Sequence, residues 1–274
     1  MMLRASLFPI PFMSDLQPRS STSDSDPDSS PLPLPPPSLP TPWNGAWTTL
    51  WVIGALLLFI AGQLIGTAVL GKVFSAPGES LQEVATDGDI IGTVAFFSLF
   101  LVCPFCLFVG DIRKPWSGFS YLGNARFRWW HLFFWFGALL LTLLVFSTLI
   151  APYLGVTEEP ESMKAIAEST QYPILVILGV TIGAPLVEEF IFRGVAWRGW
   201  TETWLGVPGT ILLTSLLWTA LHVQYDFIRL GLLFALGIIF GLARHFTGNL
   251  WVPVAMHALN NAIACLVMFY PMES

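Results

Sequence analysis

Charge is scarce in this 274-residue chain: Asp, Glu, Lys and Arg together make up 11% of it, against roughly 25% in soluble globular domains. So few ions cannot cover the surface of an ordinary soluble domain. Basic residues are the scarcer sign, 12 Lys and Arg against 18 Asp and Glu, for a net charge of −6. With no basic stripe to neutralise phosphates, nucleic acid is excluded as a partner. Cysteine is nearly absent, with three in all. Cys103 and Cys106 form C-P-F-C inside an apolar run and Cys265 lies in another; we read them as small apolar residues rather than a redox pair. Common membrane-protease signatures are missing as well. No H-E-x-x-H or G-x-S-x-G occurs, and Gly88-Asp89 lacks the leading glycine of G-x-G-D. No internal repeat is visible, which argues against an ion-coupled transporter built from inverted halves.

Apolar residues are plentiful: they make up 54% of the chain, and mean hydropathy is +0.68. Several runs approach or exceed the ~20 residues a helix needs to cross a bilayer. They cover about Trp47–Leu70, Ile90–Val109, Trp129–Ala151, Pro173–Arg193 with a helical extension, Thr210–His222, Phe227–His245 and Leu250–Tyr270, the fifth being short. Runs of this length favour helices over buried strands. The expected fold is all-α: a polytopic transmembrane helix bundle of about seven or eight spans. Three regions are expected: a disordered Ser/Pro/Asp-rich tail over 1–45, N-terminal spans over 46–155 and a catalytic core over 156–274. The tail holds PLPLPPPSLPTP, which cannot bury a core, and Met13 is an alternative translation start.

Orientation follows from the basic residues. With the N-terminus inside, nine of the twelve Lys and Arg fall in inside segments, leaving Lys72, Lys164 and Arg229 outside. Cytoplasmic loops carry the basic excess, so the N-terminus is expected in the cytoplasm. The G-x-x-x-G pairs Gly62/Gly66, Gly179/Gly183 and Gly237/Gly241 are read as close packing inside one bundle. Oligomeric state is left open.

A few polar side chains stand in these apolar settings. Glu188, Glu189 and Arg193 lie in PILVILGVTIGAPLVEEFIFRGVAWRGW, where each ionised group costs roughly 2.5–3.5 kcal/mol at membrane depth. Glu189 and Arg193 share a helix face and can pair, whereas Glu188 has no local partner. His222 ends the fifth run. His257 and Asn261 share a face of the seventh, while Asn260 points roughly 100° away. At 1.5 Å per residue, His257 lies about 10 Å, Glu188 roughly 13–18 Å and His222 roughly 18 Å from the cytoplasmic ends of their helices. These depths allow one shared cavity. Pro185 cannot donate to the carbonyl of Thr181 and should kink its helix there.

A carboxylate and two imidazoles around a wet cavity can activate water against a carbonyl. His257 and Asn261 are suited to donate to an oxyanion. Glu188, His222 and His257 also make a donor set for zinc or another divalent metal. At this point the sequence leaves metal-activated and carboxylate-activated water both open. It also leaves open a non-catalytic scaffold or immunity protein.

The residues Glu188-Glu-Phe-Ile-Phe-Arg193 resemble the E-E-x-x-x-R motif of the CPBP family, the CAAX proteases and bacteriocin-processing enzymes also called Abi. His257-Ala-Leu-Asn-Asn261 resembles its H-x-x-x-N. Trp218-Thr-Ala-Leu-His222 resembles its F-x-x-x-H with Trp in place of Phe. The resemblance covers about Pro173 to Tyr270 and implies an intramembrane endopeptidase, commonly called a metalloprotease, acting on a membrane-associated or lipid-modified protein or peptide. It further implies Glu188 as base assisted by His222, His257 and Asn261 at the oxyanion, and Glu189 and Arg193 in support.

Overall fold

The computed structural model describes residues 41–74, 80–156 and 160–270. The expected disordered tail and the Met13 start therefore lie outside the described residues. Those residues fold into helices, with one isolated bridge pair, Asn124 and Asn249. They fall within one compact unit that runs from Pro40 to Ser274.

Among the described residues six helices are long and apolar enough to cross a membrane: α1 (Gly45–Val73), α2 (Gly88–Asp111), α3 (Trp129–Tyr153), α4 (Pro173–Trp200), α6 (Phe227–Thr247) and α7 (Trp251–Phe269). A shorter apolar helix, α5 (Gly206–Ala220), stands between α4 and α6. Its 15 residues reach about 22 Å, short of the ~30 Å hydrocarbon layer. The chain therefore turns early, and the turn carries His222.

Contacts at the helix ends fix the order of the bundle. Trp43 Nε1 donates to Val109 O and Trp200 Nε1 to Thr49 Oγ1, so α1 begins where α2 and α4 finish. At the opposite end, Asp89 accepts the Gln171 and Tyr172 amides, joining the starts of α2 and α4. Leu250 N donates to Gly123 O, and Asn249 Nδ2 to Ala125 O. These bonds return the α6–α7 turn to the side where α2 ends. Gly248 closes α6 at φ +64°, a left-handed cap that favours glycine.

All three G-x-x-x-G pairs pack inside the bundle. A Cβ on Gly179 would lie 2.2 Å from Gly92 O, and one on Gly183 would lie 2.5 Å from Ala95 O. Gly62 and Gly66 face Leu101 and Val94, while Gly237 and Gly241 face Ser215 and Ile211. Close approach of this kind replaces the hydrophobic drive that helices lack in lipid. The outward surface is correspondingly apolar, with Leu57, Leu64, Phe97, Phe100 and Phe133 exposed.

Candidate active site

The helix that bears both glutamates is not a regular α-helix. It widens into π turns over Gly179–Gly183 and Phe190–Ala196. Such turns are rare and occur most often at functional sites. In the first of them Ala184 N donates to Gly179 O, one residue further back than in an α-helix. In that register the carbonyl left without a donor by Pro185 is that of Val180. The expectation of Thr181 followed the α spacing and is corrected here. Asn261 Nδ2 supplies the missing donor, 2.8 Å from Val180 O. Its Oδ1 accepts from Asn260 Nδ2 at 3.0 Å, so Asn260 joins the constellation after all.

The second π turn sets the ion pair. Arg193 Nη1 donates to Glu189 Oε1 at 3.0 Å and Nη2 to Gly237 O at 2.9 Å. The side chains of Arg193 and Glu189 are both 0% exposed. Glu189 Oε1 also accepts His257 Nδ1 at 3.0 Å. A carboxylate can only accept, so His257 Nδ1 carries the proton and Nε2 faces the other way. There it stands 3.8 Å from Glu188 Oε2, a gap that a bridging water spans better than a direct bond. Phe240 stacks on the imidazole, with ring centroids 5.3 Å apart.

Glu188 is 8% exposed. Its Oε2 accepts the indole N–H of Trp218. His222 follows the end of α5 and is half-buried. Its Nδ1 lies 2.9 Å from Trp218 O, so that nitrogen donates and Nε2 is the free one. Among the described residues, no hydrogen bond joins His222 to either glutamate. The Trp218 ring contacts both imidazoles, with its centroid 5.1 Å from each.

The structure thus gathers Glu188, Glu189, Arg193 and His257 directly, brings in His222 through Trp218, and sets Asn261 against the π turn. Trp218 was missed at the level of sequence, where it passed for a bulky aromatic. Its signal was the Trp standing in the Phe position of F-x-x-x-H. Arg244 was missed as well: it is 3% exposed and donates from Nε to Arg193 O at 2.9 Å and from Nη2 to Leu122 O at 3.0 Å. Outside the spans, Asp226 caps α6 by accepting the Ile228 and Arg229 amides. The Arg229 amide holds its carboxyl below the usual range.

Among the described residues no three His, Cys, Asp or Glu side chains come together as a metal-ligand group. Glu188, His222 and His257 each meet the Trp218 side chain.

Comparison with known proteins falls on this same region. Residues 170–263 match the family profile described as type II CAAX prenyl endopeptidase Rce1-like. An uncharacterized 24.3 kDa protein of Escherichia coli is 39% identical over 117 residues, covering 40% of this chain and 52% of that protein. The membrane-embedded CAAX protease MroQ of Staphylococcus aureus is 30% identical over 122 residues, covering 42% and 47% respectively. YdiL of Bacillus subtilis, named as a membrane peptidase, is 27% identical over 121 residues, covering 44% and 48%. The chain spans about half the length of these relatives. No solved structure matches it. Glu188, Arg193, His222, His257 and Asn261 all lie inside the segment, residues 170–263, that is similar to the Rce1-like type II CAAX prenyl endopeptidases.

Proposed function

We propose that this protein is an integral, multi-pass intramembrane endopeptidase that hydrolyses a peptide bond of a membrane-associated or lipid-modified protein. The observation that carries this reading is the chain Arg193–Glu189–His257 ending opposite Glu188 Oε2 at 3.8 Å. A buried carboxylate that holds Nδ1 of an imidazole fixes its tautomer and orientation, leaving Nε2 to act on the substrate side.

Glu188 takes a proton from water as the oxygen attacks the scissile carbonyl carbon. The carbonyl π bond opens to an oxyanion, which His257 Nε2–H stabilises once the ring is protonated. The C–N bond then breaks, the carbonyl re-forms, and the proton passes to the departing amine. His222, held through its Nδ1 by the Trp218 carbonyl, assists with Nε2. Asn261 Nδ2 already donates to Val180 O, so an oxyanion role would fall to its second amide hydrogen. In this reading the residue chiefly shapes the helix beneath Glu188. A site reached between spans suits a substrate held in the bilayer by its own apolar part.

Glu188→Gln and His257→Ala are each expected to lower cleavage by about 100- to 10,000-fold, the usual worth of a positioned acid or base. Comparing protein termini in cells that make wild-type or Glu188→Gln protein checks this and names the substrate. Identical termini in the two, or full activity of purified Glu188→Gln protein, would overturn it.

A further inference from the structure

We infer that Trp218 is a positioning residue that pins Glu188 by one oxygen and so leaves the other to work on water; the inference rests on the reading above.

The indole lies in the last turn of α5 and is 1% exposed. Its N–H donates to Glu188 Oε2. The Arg193 guanidinium sits over the indole face, 5.5 Å from the ring centroid. A cation above an indole draws electron density from the ring and thereby makes the N–H a better donor. The charge-bearing groups around Glu188 are thus Glu189 and Arg193 on its own helix, His257 on α7 and His222 beyond α5.

With Oε2 facing both the indole N–H and His257 Nε2, the carboxylate plane is fixed. Among the described residues no hydrogen bond reaches Oε1. That oxygen is left to take the proton. The same ring packs edge-on against both His222 and His257, and the Trp218 carbonyl sets the His222 tautomer. A phenylalanine would keep an aromatic ring against both imidazoles, yet offer Oε2 nothing.

Trp218→Phe deletes the N–H and keeps an aromatic ring. A hydrogen bond to a charged group is worth about one to two powers of ten. The variant is therefore expected to lose about 10- to 100-fold in kcat with little change in KM. A second measurement needs no substrate. In 15N-labelled protein the Trp218 indole signal, identified by its loss in Trp218→Phe, is expected to move in Glu188→Gln while that of exposed Trp129 stays. An unmoved Trp218 signal, or wild-type kcat in a folded Trp218→Phe protein, overturns the inference. The surviving indole signals report whether Trp218→Phe has folded. Should no substrate of the wild-type protein be cleaved, the proposed function fails while the indole signal still decides the contact.

Discussion

Glu189 accepts Arg193 Nη1 and His257 Nδ1 through one oxygen, and all three side chains are buried. Deleting one partner of a buried ion pair strands the other charge and costs about 3–5 kcal/mol. Glu189→Ala is therefore expected to lower thermal stability by that order. Glu188→Gln keeps an acceptor for the indole, so its loss is expected to stay near about 1 kcal/mol. Thermal unfolding in detergent checks the contrast, and equal losses would remove the division of roles between the two glutamates. The ionisable members of the site could be picked out before any coordinates, because membrane depth penalises charge and makes each one conspicuous. Trp218 could not: an apolar run absorbs a tryptophan as bulk, and its N–H gains meaning only once Glu188 is across from it. Asn261 was placed on the correct face, but the acceptor its amide meets depends on how the facing helix is wound.

That winding is a property of the element. A π turn adds a residue to the repeat, so hydropathy and i, i+4 spacing pass over it unchanged. The seven apolar runs therefore reveal the helices, including the short fifth, and conceal the two turns that aim Glu188 and Arg193. Arg244 shows what the second turn requires. Its Nε meets Arg193 O in the π segment, its Nη2 reaches Leu122 O, and its guanidinium lies 5.5 Å from the Trp197 ring centroid. A buried carbonyl that loses its donor costs about 1–3 kcal/mol. Arg244→Ala is expected to destabilise by about that much for each of the two carbonyls and to lower kcat, although Arg244 touches no reacting group. Arg244→Lys brings one compact ammonium in place of a fork and should recover only part of the loss. Unfolding and turnover measured together check this; wild-type values for Arg244→Ala would mean that the π turn holds itself.

At the scale of the whole molecule, alternation of the helices fixes which loops share a side, and charge then says which side that is. Arg126 and Arg128 precede α3 on the side where α2 and α4 finish and α5 begins. Arg113, Lys114 and Arg198 lie toward that same side. Glu161 and Lys164 stand opposite, on the short helix Glu161–Ser169. From the asymmetry of Lys and Arg we propose that the Arg126 side faces the cytoplasm. Glu188 and His257 lie toward that side of their helices, so in this proposal a peptide anchored from the cytoplasmic face would meet them. Arg126 and Glu161 are exposed, the native Cys106 and Cys265 are buried and Cys103 is half-buried, so with Cys103→Ala as background single cysteines at the two positions report sidedness cleanly. An impermeant maleimide applied to intact cells is expected to label Glu161→Cys, and to label Arg126→Cys only after the membrane is opened. The reverse pattern would invert the orientation and turn the site toward the opposite face.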